Sequence, residues 1–165
     1  MTPNEPMNLR EWKPGAQAEC RAGRLFTAGR PGRGSPGYGR ARKSVDEAII
    51  DRWVAGLPQA EVLQIVSLLG RKTDGFSEFT YYPFRSCREL SEKPTFQEWL
   101  DRRYGPRFVV HEFPTVDAHG IESEVLDDVK ASIRRLLGAG NAVMIMDSAG
   151  AERTARVCED IGFVR

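Results

Sequence analysis

The chain has 165 residues, 41% of them apolar and 28% charged, with a formal net charge of +1. This length fits one domain with a single core, and no apolar run is long enough to span a membrane. The N-terminus lacks a signal pattern, and the three cysteines have neither disulfide-framework nor metal-ligand spacing. We therefore expect a cytoplasmic protein that carries no metal and no cofactor.

Residues 1–19 contain three prolines and little periodicity, which predicts a flexible N-terminal arm before a domain over residues 20–165. Residues 21–43 then carry seven basic residues and no acidic one. A solvated loop is the simplest interpretation of this basic tract; contact with nucleic acid, anionic lipid or an acidic partner is the alternative. Nucleic acid is disfavoured, because Tyr38 alone gives poor aromatic interleaving. Six acidic residues within 112–128 are a candidate partner for the tract.

Alternating apolar segments predict the remaining elements in chain order. A helix is predicted over 45–55, with Ser44 as N-cap and Glu47 completing a capping box. Strands are predicted at 62–69, 81–84, 107–113 and 142–146, and further helices within 94–100 and over 124–137 and 154–161. This order indicates an α/β fold with a central, mainly parallel sheet flanked by helices. We assign most of the central aromatic residues to its core: Trp53, Phe76, Phe79, Tyr81, Tyr82, Phe84, Phe96 and Trp99.

The most informative stretch is residues 146–154, which read Met-Asp-Ser-Ala-Gly-Ala-Glu-Arg-Thr. A buried strand leads into them, small residues let the chain curl, and a helix ended by Gly162 follows. Converging backbone N–H groups at the start of such a helix bind anions, and an arginine adds a planar fork for two phosphate oxygens. The pattern predicts a phosphate-binding loop made of Ser148, Ala149, Gly150, Ala151, Glu152 and Arg153.

These residues resemble the loop of the cysteine-dependent protein tyrosine and dual-specificity phosphatases, whose signature is His-Cys-x-x-Gly-x-x-Arg-Ser/Thr. Gly150, Arg153 and Thr154 stand where that family has its glycine, arginine and hydroxyl residue. Met146 stands in place of the histidine, and Asp147 in place of the nucleophilic cysteine. The resemblance implies a three-layer phosphatase-like domain whose reactive atom is missing.

The resemblance also assigns roles to individual residues. Arg153 would bind phosphate, Thr154 would stabilise the leaving thiolate, and Asp117 in the segment 113–121 would be the general acid. The order of acid segment, helix, glycine turn, strand, phosphate loop and helix is that of the family. Residues 23–31 also resemble the opening strand and turn of these domains. His111 and His119 have no role in this scheme and are interpreted as ordinary strand and surface residues.

Asp147 decides what the loop can do. A carboxylate is a weaker nucleophile towards a phosphate ester than a thiolate, and its charge repels a phosphate dianion. We expect Asp147 to accept the loop N–H groups or to pair with Arg153, and Glu152 at the pocket mouth would further disfavour phosphate. The sequence therefore favours a catalytically inactive pseudophosphatase that acts by binding or scaffolding a protein partner.

Three alternatives stay open at this point. The chain is an active phosphatase of the same family with its nucleophile replaced, in which case an open pocket takes a phosphorylated ligand. Asp147 is itself the nucleophile, as in haloacid-dehalogenase-type phosphatases, although Ala149 stands where those magnesium enzymes have a second aspartate. The basic tract at 21–43 makes the chain a nucleic-acid-binding module.

Overall fold

The computed structural model describes residues 6–34, 45–70, 77–115 and 120–165. Over these ranges the chain forms an α/β fold with a six-stranded mixed sheet and four helices. The strands are β1 (Arg10–Pro14), β2 (Arg24–Gly29), β3 (Leu63–Ser67), β4 (Phe108–Glu112), β5 (Ala142–Asp147) and β6 (Phe163–Val164). The helices are α1 (Glu47–Ala55), α2 (Phe96–Tyr104), α3 (Ser123–Gly138) and α4 (Glu152–Asp160).

The strand order across the sheet is β4-β3-β5-β2-β1-β6. Strands β4, β3, β5 and β2 run parallel, whereas β1 is antiparallel to both of its neighbours. The carboxyl ends of the four parallel strands therefore lie at one edge, which is where α/β sheets bind ligands. Asp147 is the last residue of β5, the strand between β3 and β2.

Alternate residues of β5 face two separate parts of the core, because successive side chains of a strand point to opposite faces. Met144 and Met146 pack with the buried residues of α1 and α2. Val143 and Ile145 pack with those of α3 and α4. All four side chains are fully buried, as the unbroken apolar run predicts for a central parallel strand.

Residues 10–14 differ from the flexible arm predicted over 1–19, of which residues 1–5 lie outside the described ranges. Arg10–Pro14 form β1, which pairs with β2 and with β6. Trp12 is 3% exposed, and its indole N–H donates to Thr27 Oγ1 at 2.9 Å. Five residues that end in a proline are too few to show a clear alternation in sequence. The strand is therefore identified by its pairing with other strands and not by its own pattern.

Residues 81–84 do not form the predicted strand but lie in turns. Their aromatic side chains pack on one another and on α2: the Tyr82 and Phe84 rings are 5.0 Å apart, and the Phe84 and Phe96 rings 4.5 Å. A run of four aromatic and apolar residues cannot by itself separate a strand from a buried turn. Aromatic stacking decides the conformation here.

Helix α1 begins two residues later than predicted. Its N-cap is Asp46, whose carboxylate accepts from the Ala48 N–H at 2.8 Å, so Glu47 is the first helical residue. The predicted cap, Ser44, lies outside the described residues. Helix α2 is capped by Thr95, whose hydroxyl accepts from the Glu98 N–H at 3.1 Å. Both caps satisfy helix N–H groups that have no partner within the helix.

The helices of the described ranges include none with the length and apolar character needed to cross a membrane. The free thiols are Cys20, Cys87 and Cys158. Cys158 lies fully buried on α4, as predicted for a core residue, and burial raises the pKa of its thiol.

Candidate functional site

The candidate site is the turn between β5 and α4, which contains the residues predicted as a phosphate loop. Ser148 is buried at 9% exposure, whereas Ala151 and Glu152 are exposed. The loop curls tightly at Gly150, where φ is 71° and an added Cβ would overlap the backbone of Ala28 and Gly29. Only glycine allows this close approach to the end of β2. The loop therefore has the curled backbone that the sequence predicts.

The carboxylate of Asp147 fills the inside of the curl. Its Oδ1 accepts hydrogen bonds from the N–H groups of Ala149, at 3.0 Å, and of Gly150. Its Oδ2 accepts from the Thr154 N–H at 3.1 Å. The side chain is 2% exposed. Two carboxylate oxygens thus take the converging N–H groups that an anionic ligand would use, which is the first of the two arrangements expected for Asp147.

Asp147 also replaces the local cap of α4. The N-cap position is Ala151, which has no side chain able to accept a hydrogen bond. The N–H of Thr154, the third residue of α4, is satisfied by Asp147 from across the loop. A negative charge at this end also complements the helix dipole. The carboxylate therefore has a structural function without any ligand.

Arg153 points to the β3 side of the loop. Its Nη1 donates to the carbonyl oxygen of Leu68 at 3.1 Å and to Thr115 Oγ1 at 2.8 Å. Nη1 and Nη2 each lie 3.3 Å from a carboxylate oxygen of Glu78. A pair with Asp147, the second arrangement expected, is not among its contacts with the described residues. The guanidinium fork, which was expected to bind phosphate, is therefore engaged by a carboxylate of the same chain.

Glu78 is the site residue that sequence analysis missed. It is fully buried, and its Oε1 also accepts from the Gly70 N–H at 3.1 Å. Arg30 is 4% exposed; its Nη1 donates to the Glu78 carbonyl at 3.0 Å and lies 4.0 Å from the Glu78 carboxylate. Buried charges need such partners. No motif marks Glu78; its position beside Arg153 depends on a chain separation of 75 residues.

The N-terminal segment covers the outside of the loop. The Asn8 side-chain amide donates to the Ala149 carbonyl at 2.8 Å, and the Met7 carbonyl accepts from the Gly29 N–H at 2.8 Å. Gly29 and Ala149 also form an isolated bridge. The loop is thus fixed from three directions, by Asp147, β2 and this segment. No sequence pattern places the segment beside the loop.

Of the remaining predicted site residues, Thr154 is fully buried, and its Oγ1 has no hydrogen-bond partner in the described part of the chain. Asp117 and His119 lie outside the described residues, so the predicted general acid stays a prediction. His111 lies in β4, where its Nε2 is 2.7 Å from Gln64 Oε1. Within the four described ranges, no three His, Cys, Asp or Glu side chains are grouped to hold a metal ion.

The basic tract is partly structural. Arg24 opens β2 and pairs with Glu11 through two hydrogen bonds of 3.0 Å, and Arg30 belongs to the buried Glu78 cluster. The Arg21 side chain donates to the Gly15 carbonyl at 3.0 Å. These three cations serve contacts within the chain. Residues 35–44, which include the basic residues Arg40, Arg42 and Lys43, lie outside the described ranges.

Comparisons with protein-family models, with curated proteins and with solved structures found no match to this chain. The functional assignment therefore depends on the residues of the loop and on their geometry.

Proposed function

We propose that this chain is a pseudophosphatase: a three-layer, phosphatase-like α/β domain that does not hydrolyse phosphate esters and acts by binding or scaffolding another protein. The observation that carries the proposal is the position of the Asp147 carboxylate. Its two oxygens accept three N–H groups of the loop, so a phosphate group would have to displace a buried anion to bind. Dianionic phosphate beside a buried carboxylate is electrostatically unfavourable.

The element order supports the phosphatase-like part of the proposal. Helix α3, a glycine turn with Gly140 at φ 83°, β5, the loop and α4 follow one another as the resemblance implies. The matching positions Gly150 and Arg153 also lie at the loop itself. Asp117 would still be the acid of the ancestral reaction, but without a nucleophile it has no leaving group to protonate.

The experiment is hydrolysis of an aryl phosphate by the wild-type protein and by Asp147→Cys, side by side. We expect no turnover by the wild type, because a buried, hydrogen-bonded carboxylate is a poor nucleophile towards a phosphate ester. Hydrolysis that follows the wild-type protein through purification and is lost in Arg153→Met would contradict the proposal.

The second candidate is a phosphatase whose nucleophile has been replaced while the rest of its machinery is kept. The Thr154 hydroxyl favours it, because that group is buried at the family's position without a partner in the described part of the chain. Turnover by Asp147→Cys, absent from Asp147→Cys/Arg153→Met, would support this candidate. Folded but inactive Asp147→Cys would favour a site that has changed beyond its nucleophile.

A further inference from the structure

Strand β4 is the last strand at one end of the sheet, so one of its two long sides has no neighbouring strand in the described sheet. Its other side pairs with β3, where the Arg107 carbonyl accepts from the Leu63 N–H at 2.9 Å. The backbone groups of alternate residues point to opposite sides of a strand. Phe108 and Val110 therefore direct their N–H and carbonyl groups to the open edge.

The residues of β4 themselves offer this edge little protection. An open edge can pair with a strand of another chain, and proteins usually prevent this with lysine, proline or a very short strand. Strand β4 reads Phe-Val-Val-His-Glu, with neither lysine nor proline, and Val109 is 38% exposed. At the opposite end of the sheet, β6 has only two residues. The edge of β4 therefore needs cover from another part of the chain.

The side-chain amide of Gln97, in the first turn of α2, covers the edge. Its Oε1 accepts from the Val110 N–H at 2.7 Å, and its Nε2 donates to the Phe108 carbonyl at 2.8 Å. Nε2 also donates to Asp101 Oδ1 at 3.0 Å, one turn further along the helix. Both N–H groups of the amide and its oxygen are thus engaged, and Asp101 fixes the orientation of the amide.

The two hydrogen bonds of Gln97 to β4 are those that a neighbouring strand would make. In a parallel pair, one residue donates to the carbonyl before the opposite residue and accepts from the N–H after it. Gln97 makes this pair of bonds around Val109 with a side chain instead of a backbone. Phe96, the preceding residue, is fully buried in the core and anchors this turn of the helix. An approaching strand would therefore have to displace Gln97.

We propose that Gln97 closes the β4 edge, and that loss of its amide lets β4 pair with β4 of a second copy of this chain. Two copies of one strand related by a twofold axis run antiparallel and present the same groups to each other. With Val110 opposite its own copy, each Val110 N–H donates to the other Val110 carbonyl. In this register Glu112 and His111 face apolar residues of the other copy, so no like charges oppose each other.

The test is sedimentation velocity of the wild type and of Gln97→Ala over roughly 1 µM to 1 mM, the range of Kd in which weak association is measured. We expect the wild type to stay a single copy and the variant to shift from one copy to two as its concentration rises. Hydrogen exchange of the Val110 amide is the second readout. It should be slow at every concentration in the wild type, and in Gln97→Ala it should slow at least about tenfold across the range as the pair forms.

Two further variants locate the contact. Val110→Pro removes the N–H that points to the open edge and leaves the bonds to β3 intact, so Gln97→Ala/Val110→Pro should remain a single copy. Glu98→Ala, which removes an exposed carboxylate from the same turn of α2, is the matched control and should behave as the wild type does.

A folded Gln97→Ala that remains a single copy would overturn the inference, as would equal association of the double variant or of Glu98→Ala. Fast exchange of the Val110 amide in the wild type would also overturn it, and this measurement does not require any variant to fold. Circular dichroism verifies the fold of each variant. None of these outcomes depends on the state of Asp147.

Discussion

Removal of the Asp147 carboxylate should turn the loop into an anion site. In Asp147→Ala, the N–H groups of Gly150 and Thr154 lose their acceptor while buried, and that of Ala149 while partly buried. A buried donor without a partner costs about 1–3 kcal/mol. Relief of the buried negative charge offsets part of this cost, so we expect a net loss of about 3 kcal/mol of unfolding free energy.

Inorganic phosphate should restore much of that loss, because its oxygens can accept the same three N–H groups. Phosphate at about 100 times its Kd adds about 2.7 kcal/mol to the stability of a protein that binds it only when folded. A change of 1 kcal/mol shifts the Tm of a domain of this size by about 2–4 °C. The Tm of Asp147→Ala should therefore rise by about 5–10 °C in phosphate, with little change for the wild type.

Thermal melts in phosphate and in sodium chloride of equal ionic strength separate specific binding from general salt stabilisation. Asp128→Ala, which removes one exposed carboxylate from α3, controls for net charge. Asp147→Asn keeps an acceptor inside the loop and should respond to phosphate no more than the wild type does. An equal phosphate response of the wild type and Asp147→Ala would refute the reasoning, since the carboxylate would then not occupy an anion site.

Three further changes test the surroundings of the loop and the fold. Gly150→Ala should destabilise the chain by several kcal/mol, because φ is positive at this position and the added Cβ would overlap the backbone of β2. Gly138→Ala has open space around it and should be neutral or stabilising by about 0.5–1 kcal/mol. Urea unfolding of both variants measures the difference. Glu78→Gln should cost about 3–5 kcal/mol in the same assay, because it removes the negative charge from a buried cluster that holds two arginines. A loss below about 1 kcal/mol would contradict the importance of this cluster. The hydrogen bonds from Arg103 lower the pKa of Asp51 to about 2, so the stability from this pair is present above about pH 4 and lost as the pH falls through 2. Because the Asp51 side chain is 41% exposed, the difference between wild type and Asp51→Asn should be under about 1 kcal/mol at neutral pH. It should vanish only well below pH 2 in acid-dependent melts.

The elements of the parallel sheet can be predicted from the sequence, because the pattern that marks each strand or helix lies within its own residues. The apolar run of β5 and the helical spacing of α3 identify both elements within one or two residues. The same holds for the loop, where glycine and small residues at fixed spacing mark the curl. The capture of its N–H groups by Asp147 is also local, since donor and acceptor lie two to seven residues apart.

The features that sequence analysis missed are the long-range ones. Glu78 reaches Arg153 across 75 residues, and Asn8 reaches Ala149 across 141. Neither contact has a periodicity or a spacing that sequence analysis can read. Strand β1 was missed for a related reason. It is formed by pairing with β2 and β6, and its own five residues have no pattern that predicts a strand.

The three loop residues that match the phosphatase signature differ in whether the fold itself requires them. Gly150 is required by close backbone approach, and Arg153 balances a buried carboxylate, so both have structural reasons to be present without catalysis. Thr154 has no such reason for its hydroxyl, which is buried without a hydrogen-bond partner in the described part of the chain. Burying an unsatisfied hydroxyl costs about 1–3 kcal/mol.

Thr154→Val keeps the shape of the side chain and removes that cost, so we expect the variant to gain about 1 kcal/mol of stability and about 2–4 °C in Tm. Thr154→Ser, which keeps the hydroxyl and loses a methyl group, is the matched control and should be destabilised by roughly 1 kcal/mol. A loss of stability in Thr154→Val would mean that the hydroxyl has a structural partner. A gain of stability would mean that the hydroxyl does not stabilise the fold. Residual chemistry, or the ancestry of the loop, would then be the reason for a threonine at this position.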